Sequence, residues 1–128
     1  MAKDPLLEDL NPQQKEAILC CKGPLLVLAG AGSGKTRVVT YKFAYLVKKK
    51  NYQPTNIFVV TFTNKAANEM KERIAHFLGQ ELKQAWIGTF HSQCSKILRK
   101  EIRALGYKTD FSIYDEDDQN SLIRHILK

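Results

Sequence analysis

The sequence lacks any long apolar run. Its first ten residues, MAKDPLLEDL, contain no apolar stretch of the signal-peptide kind, and no segment approaches the length of a membrane span. Cysteine is scarce: there are three, and Cys20 and Cys21 are adjacent, a poor geometry for bridging each other. No spacing of His and Cys indicates a zinc site. These absences argue against secreted, disulfide-rich and membrane-spanning classes, and predict a cytoplasmic protein with reduced thiols and no membrane partner.

Acidic residues are in the minority, with 13 Asp and Glu against 20 Lys and Arg, and the formal net charge is +7. A basic balance of this size favours nucleic acid or another polyanion as a partner. Charge alone equally allows a soluble protein that happens to be basic. The length of 128 residues and the hydrophobic content of 44% suffice for one globular domain with a real core.

Strand and helix signals alternate along the chain. Asn11 and Pro12 are a typical N-cap and first helical residue, and Gly79 ends a helix that begins at Asn64. Apolar and β-branched runs predict strands at residues 25–29, 56–62 and 85–88, and further helices are predicted at 35–49, 89–106 and from 115 onward. This alternation predicts an α/β fold, with an open parallel sheet flanked by helices. Three strands are few for such a sheet, so we expect an incomplete domain.

Two of these segments carry a specific expectation about burial. Residues 25–29 are apolar throughout, as in a strand that is buried on both faces. In the helix at 89–106, apolar residues at helical spacing predict a stripe that faces inward. The stripe consists of Cys94, Ile97, Leu98, Ile102 and Leu105.

The stretch LVLAGAGSGKTR, residues 26–37, joins a predicted strand to a predicted helix through a glycine-rich turn. This arrangement directs several backbone N–H groups and the positive end of the helix at one point, which suits a phosphate group. Gly30, Gly32 and Gly34 allow a close approach that side chains would obstruct. Ala29 stands where the strict pattern has glycine. The strand before the turn and the helix after it favour phosphate binding over a purely structural turn.

Lys35 and Thr36 supply the chemistry of this loop. The Lys35 side chain can reach the β and γ phosphates of a nucleotide, and the Thr36 hydroxyl can ligate Mg²⁺. We therefore assign both as catalytic residues of a nucleoside triphosphate site, with Thr36 also holding the metal. The predicted nucleotide contacts in the loop and at the helix start are Ala31, Gly32, Ser33, Gly34, Lys35 and Thr36.

Four stretches, in order, resemble the superfamily 1A DNA helicases of the UvrD, Rep and PcrA type. They are LNPQQKEAI at residues 10–18, AGAGSGKTR at 29–37, TFTNKAANEM at 61–70 and GTFHS at 88–92. Their spacing, and FSIYDEDDQ at 111–119, extend the resemblance over nearly the whole chain from Leu10. The resemblance implies a P-loop NTPase sheet of the RecA-like type, with ATP and Mg²⁺ as cofactors and single-stranded DNA as partner.

The resemblance also assigns two side chains to the adenine base. The family's Q motif falls on LNPQQ, and its adenine-reading glutamine corresponds to Gln14. A side-chain amide can donate to and accept from the adenine edge at once. Gln13 is the alternative if the register differs by one residue, and a merely exposed polar position is the alternative for both. Arg37 corresponds to a family position whose side chain packs along the adenine. The alternative is an ordinary arginine on the helix surface.

Two further motifs of the family concern DNA. Motif Ia corresponds to Phe62, Thr63, Asn64 and Lys65, and motif Ib to Thr89, Phe90, His91 and Ser92. Both follow predicted parallel strands, whose carboxyl ends share one edge of a sheet. There Phe62 can stack on a base while hydroxyls and helix N–H groups hold phosphates. The alternatives to DNA contact are that Phe62 is a core residue and that His91 is a packed or capping residue. The resemblance implies that single-stranded DNA crosses this edge next to ATP.

Asp115 and Glu116 admit a second interpretation. An apolar strand followed by Asp-Glu is typical of a Walker B site, with the aspartate on Mg²⁺ and the glutamate activating water. Four acidic residues in a row before Gln119 are instead typical of a helix cap and first turn, which we favour. The resemblance agrees, because FSIYDEDDQ corresponds to the passage from the RecA-like domain 1A into its helical subdomain 1B.

We expect a mobile start at residues 1–9, the N-terminal part of domain 1A at 10–110, and the start of subdomain 1B at 111–128. The parent would be an ATP-dependent DNA helicase that moves 3′ to 5′ in repair or replication, with unidentified proteins of those processes as partners. A fragment without the family's Asp-Glu pair, sensor glutamine and second RecA-like domain with its arginine fingers is expected to bind nucleotide and DNA weakly, without unwinding. The alternatives are a helicase–nuclease of the AddA and RecB kind, and a stand-alone nucleotide-gated DNA-binding module.

Overall fold

A computed structural model of the chain describes residues 6–127. These residues form five α-helices, two β-strands and two 3₁₀ turns, at Pro54–Asn56 and Ile102–Leu105. The helices and strands, in chain order, are α1 (Pro12–Leu19), α2 (Lys35–Lys50), β1 (Phe58–Thr61), α3 (Asn64–Leu78), β2 (Trp86–Thr89), α4 (Phe90–Glu101) and α5 (Glu116–Ile126). The predicted α/β class is confirmed.

The chain divides into two compact units, Met1–Gln93 and Cys94–Lys128. The division falls inside α4, so the first unit contains both strands together with α1, α2 and α3. The second unit contains the rest of α4, the 3₁₀ turn and α5. The domain boundary that the sequence predicts after residue 110 stays a prediction.

The two strands of the first unit are parallel, as predicted, and are joined through α3. Their register pairs Val59 with Ile87 and Thr61 with Thr89, so both strands end at the same level. The main core lies between this sheet, α2 and α3, and Ile74 and Ile87 in it are fully buried. Its buried members are Phe43, Val59, Met70, Ile74, Ala85 and Ile87.

A second apolar cluster joins α1 to α2. It contains Leu10, Ala17 and Ile18 on one side and Val38 on the other, with Tyr41 packed against it. Helix α1 begins as the sequence predicts: the Asn11 side chain accepts a hydrogen bond from the Gln14 backbone N–H, and Pro12 is the first helical residue. The cluster fixes α1 on the helix that follows the glycine loop.

The prediction of a buried strand at residues 25–29 is wrong. These residues pair with no strand in the described part of the chain, and the Leu26 and Leu28 side chains are 81% and 87% exposed. A strand buried on both faces requires hydrogen-bonded neighbours and covering layers, and within residues 6–127 the strand β1 pairs only with β2. The apolar run therefore indicated that residues 25–29 prefer burial, but it did not identify the strand or helix that would cover them.

The second unit has little apolar burial. The inward stripe predicted for α4 and the turn after it is wrong: Cys94 is exposed, and Leu105 is 69% exposed. Arg99 instead organises this unit, since its guanidinium donates to the Thr109 carbonyl at 3.1 Å and lies 4.7 Å from the centre of the Phe111 ring. Periodicity identified the helix correctly, but the apolar face meets no covering layer within its own unit.

Asp115 caps α5. Its side chain accepts a hydrogen bond from the Asp118 backbone N–H at 2.8 Å, and the Asp118 carboxylate accepts one from the Asp115 N–H in return. Glu116, Asp117 and Asp118 occupy the first turn, where the helix dipole favours negative charge. This supports the cap interpretation of the acidic run over a Walker B site.

No helix among residues 6–127 combines the length and the apolar character needed to cross a membrane. At the start of the chain, residues 6–9 form a turn, and the Leu10 N–H donates to the Leu7 carbonyl at 3.3 Å. The mobility predicted for residues 1–9 concerns residues 1–5 as well, which lie outside the described part. The predicted mobility of residues 1–9 therefore stays a prediction.

Candidate nucleotide and nucleic-acid site

Two of the three loop glycines before α2 adopt a backbone that favours glycine, and Gly30 does not. Gly32 and Gly34 have φ values of 76° and 87°, in the left-handed region that favours glycine. At Gly34 a β-carbon would also lie 2.9 Å from the Gln14 side-chain nitrogen. Gly34 is the N-cap of α2, no side chain among residues 6–127 caps the helix, and its first turn contains no acidic residue. The N-terminal N–H groups of α2 are thus available to an anion.

Lys35 folds back over this loop. Its ammonium donates to the Gly30 carbonyl at 2.7 Å and to the Ala29 carbonyl at 3.1 Å, and the Ser33 hydroxyl donates to the same Gly30 carbonyl at 2.6 Å. The cation is therefore at the mouth of the glycine turn, within reach of any phosphate bound at the N-terminus of α2. Thr36, the next residue, is exposed.

Gln14 connects α1 to the loop. Its side-chain nitrogen donates to the Ser33 carbonyl at 3.2 Å, while its side-chain oxygen accepts from the Asn11 backbone N–H at 3.1 Å. Gln13 is exposed. The loop, α1 and residues 27–29 surround a cavity of about 270 Å³ that Gln13, Gln14, Ser33 and Lys35 help to line. The structure thus brings the Q-motif amides and the loop lysine to one cavity, with Gln14 in direct contact with the loop.

Arg37 is placed elsewhere. Its guanidinium lies 5.4 Å from the centre of the Tyr41 ring, and Tyr41 packs edge-on against Phe77 at 4.5 Å between ring centres. These three side chains help to line a different cavity, of about 580 Å³, between α2 and α3. The structure therefore does not bring Arg37 to the cavity that Gln14 lines.

The two aromatic residues that follow the strands lie side by side. The register of β1 and β2 ends with Thr61 opposite Thr89, so the next residues, Phe62 and Phe90, leave the sheet at the same edge. Their ring centres are 5.5 Å apart, and the Phe62 side chain is 91% exposed. The alternative of Phe62 as a core residue is wrong, and the two rings, tilted by 40° to each other, expose apolar aromatic surface to solvent.

The hydroxyls predicted to hold phosphates cap the helices that follow. Thr63 accepts from the Ala66 N–H, and Thr89 accepts from the Ser92 N–H, each at 3.2 Å. The Ser92 hydroxyl donates to the Thr89 carbonyl at 3.0 Å. The remaining predicted DNA contacts, Asn64, Lys65 and His91, are exposed. The hydroxyls therefore stand at two helix N-termini, where phosphate oxygens also find N–H donors.

Among the described residues, no group of three or more His, Cys, Asp or Glu side chains could hold a metal ion. The Thr36 hydroxyl can supply one oxygen ligand. Mg²⁺ on a nucleotide keeps several waters and phosphate oxygens and usually also takes one or two protein carboxylates, so Thr36 fits one position of its coordination and a carboxylate ligand is not among these donors.

Gln93 is a residue of this region that the sequence does not single out. Its side chain is 1% exposed, and its Oε1 accepts no hydrogen bond from any residue of the described part. The side-chain amide packs on the α-carbon of Gly88, where a β-carbon would collide with it. The sequence signal that could have identified Gln93 is a glutamine at an apolar position of a predicted helix, five residues after Gly88.

Replacing Gln93 with Met is expected to raise the free energy of unfolding by about 1 kcal/mol, because a buried acceptor without a partner carries an uncompensated loss of hydration. Methionine has a similar length and no polar amide. Urea denaturation followed through Trp86, the single tryptophan, measures the change. Gln84→Met, at an exposed position, is the control and should change little. A loss of stability on Gln93→Met would mean that Oε1 has a stabilising partner.

Comparison with known families and proteins agrees with the sequence motifs. The model of the UvrD/REP helicase N-terminal domain matches residues 10–128. ATP-dependent DNA helicase PcrA of Bacillus subtilis (strain 168) is 54% identical over 123 residues, and PcrA of Staphylococcus epidermidis (strain ATCC 12228) is 49% identical over 123 residues. PcrA of Staphylococcus aureus (strain NCTC 8325) is 48% identical over the same length. Each match covers 96% of this chain, which spans 17% of the length of these curated relatives.

Proposed function

Because the chain belongs to the UvrD/REP helicase N-terminal domain family, we propose that it is the ATP-binding and DNA-contacting part of an ATP-dependent DNA helicase of the UvrD and PcrA type. The relatives are ATP-dependent DNA helicases by name, which favours a helicase over a helicase–nuclease or a stand-alone binding module. Movement from 3′ to 5′, a role in repair or replication in the cytoplasm, and partner proteins from those processes are inferred from the family resemblance.

The observation that carries the proposal is the uncapped N-terminus of α2 behind a glycine loop, with Lys35 at its mouth and Gln14 on its rim. A cation, a row of helix N–H groups and a side-chain amide are the groups that a nucleoside triphosphate requires for its phosphates and its base. All three lie in the first unit of the chain.

Each residue of this site has a role when Mg·ATP is bound. A bound Mg²⁺ would supply charge neutralisation at the phosphates. Lys35 would exchange the carbonyls of Ala29 and Gly30 for the β and γ phosphates, and the Thr36 hydroxyl would hold the metal. The backbone of residues 31–34 surrounds the phosphates, and Gln14 exchanges its contact with Ser33 for the edge of adenine. Arg37 packs along the base after turning away from Tyr41.

The DNA site in this proposal is the edge where β1 and β2 end. Phe62, beside Phe90, stacks on a base of single-stranded DNA, which has an apolar face whatever its sequence. The neighbouring phosphates are held by the other residues predicted at this edge, which are Thr63, Asn64, Lys65, Thr89, His91 and Ser92. The net charge of +7 supports binding to a polyanion.

The fold proposed for the parent is a RecA-like P-loop NTPase sheet of which these residues form part. Residues 10–110 would belong to domain 1A and residues 111–128 to the start of subdomain 1B. Since the chain spans 17% of its relatives' length, we propose that these 128 residues bind nucleotide and DNA weakly and do not separate strands by themselves.

The experiment is a coupled ATPase assay of the chain, with and without a single-stranded oligonucleotide, beside equilibrium binding of a fluorescent ATP analogue. We expect measurable, Mg²⁺-dependent binding and no turnover that DNA stimulates. Robust DNA-stimulated turnover would overturn the proposal that these residues are only part of the motor. Absence of nucleotide binding by a folded chain would overturn the nucleotide site itself.

A further inference from the structure

Helix α1 is too short to be stable on its own. It contains eight residues, and isolated helices of that length do not persist in water, so contacts with the rest of the molecule must hold it. Its apolar side buries Ala17 and Ile18 against Val38 of α2. Its N-terminal end carries Gln14, whose side chain contacts the glycine loop at Ser33.

The C-terminal end of α1 is held by a residue from another helix. The Lys42 ammonium, on α2, donates to the Cys20 carbonyl at 2.7 Å and to the Ala17 carbonyl at 2.9 Å. The last turn of α1 has no basic residue of its own, and its C-cap residue has an extended conformation. Lys42 therefore provides both hydrogen bonds and the positive charge that the carbonyl end of a helix favours.

Lys42 and Lys35 lie on one face of α2. They are seven residues, or two helical turns, apart, and both line the same cavity of about 570 Å³ together with Ala17. A single helix thus carries the lysine at the phosphate loop and the lysine that holds α1. Any displacement of α1 relative to α2 would move Gln14 relative to the loop.

We infer that Lys42 is a positioning residue for base recognition: by holding α1 on α2, it sets where the Gln14 amide lies beside the phosphate loop. The consequence of this positioning is selection of adenine over other purines, and that consequence rests on the proposed function. The inference predicts that loss of Lys42 impairs recognition of the base while phosphate binding by Lys35 and the α2 N-terminus is kept.

The test compares Lys42→Met with Lys42→Arg, using three probes: Mg·ATP, Mg·ITP and inorganic tripolyphosphate. Hypoxanthine has an oxygen where adenine has an amino group, so the ATP-to-ITP affinity ratio reports base reading alone. For Lys42→Met we expect this ratio to fall about fivefold or more, the scale of a lost hydrogen bond, with tripolyphosphate affinity within about twofold of the parent's. Lys42→Arg, which keeps donors and charge, should retain the ratio. Lys48→Met, at an exposed lysine in the last turn of α2, controls for the lost charge.

Two outcomes overturn the inference: an unchanged ATP-to-ITP ratio in Lys42→Met, or an equal loss of tripolyphosphate and ATP affinity, as general damage would give. If Lys42→Met does not fold, Lys42→Gln keeps an uncharged amide NH₂ donor on a shorter side chain and should show the same change at smaller size. A chain that binds none of the probes refutes the proposed function instead.

In that case the NMR signal of the Gln14 side-chain amide still tests the role of Lys42. The hydrogen exchange of this amide should be faster in Lys42→Met and unchanged in Lys42→Arg, and equal exchange in the two variants contradicts the inference.

Discussion

Replacing Lys35 with alanine is expected to lower the affinity of the chain for Mg·ATP by about 100-fold or more. The Lys35 ammonium lies over the glycine turn, held by the carbonyls of Gly30 and Ala29 at 2.7 and 3.1 Å. In the proposed complex it forms charge-assisted hydrogen bonds to two phosphates. Each such bond contributes about 1.5–3 kcal/mol, and every 1.4 kcal/mol is about tenfold in affinity. Equilibrium titration with a fluorescent ATP analogue measures the loss.

The control for this variant is Lys48→Ala, which removes the same charge from the exposed end of the same helix. It should leave nucleotide affinity nearly unchanged. Because the Lys35 contacts are exposed to solvent, Lys35→Ala should also unfold at nearly the parent's urea concentration. An unchanged affinity for Mg·ATP in a folded Lys35→Ala chain would refute the assignment of the loop.

Phe62→Ala should weaken binding of single-stranded DNA by about 5- to 150-fold. Stacking of a base on an aromatic side chain contributes about 1–3 kcal/mol, and Phe62 is 91% exposed beside Phe90. Little of the Phe62 side chain is buried, so the free energy of unfolding should change little. Fluorescence anisotropy with a labelled oligothymidine, at one fixed salt concentration, measures the affinity.

Phe58 offers a matched control for Phe62. It lies at the opposite end of β1, is 51% exposed, and also faces an aromatic neighbour, Trp86, at 6.3 Å between ring centres. Phe58→Ala should leave DNA affinity within about twofold of the parent's, since the proposed strand crosses only the carboxyl edge of the sheet. Equal losses for the two variants would mean that aromatic exposure in general, and not this edge, determines DNA binding.

Local signals in the sequence predicted local structure well. Asn11 and Asp115 were identified as helix caps and both accept the expected N–H hydrogen bonds, because a cap depends only on residues within one turn. The apolar residues of α3 lie on one face at helical spacing, and Met70 and Ile74 among them are buried. The positive φ of Gly34 likewise follows from a turn that only glycine adopts easily.

Features that depend on distant partners were not predictable in the same way. The apolar residues 25–29 and the stripe at Cys94 to Leu105 were predicted to be buried and are largely exposed, since hydropathy does not identify the covering element. The cap that Lys42 places on α1 joins residues more than twenty positions apart, and no local pattern marks it. The same holds for the unpartnered Gln93 oxygen. The motifs also did not predict the direction of side chains. The Arg37 guanidinium, for example, lies over the Tyr41 ring.

In the proposed complex the glycine loop and the first residues of α2, residues 30–36, bind the phosphates while Gln14 binds the base. Titration of the chain with Mg·ATP, followed by amide NMR, tests this claim most directly. We expect the largest shifts on the backbone amides of residues 31–37 and on the Gln14 side-chain amide, and we expect Mg·tripolyphosphate to reproduce the loop shifts without the Gln14 change. Saturable binding that leaves those amides unmoved and shifts others instead would contradict it.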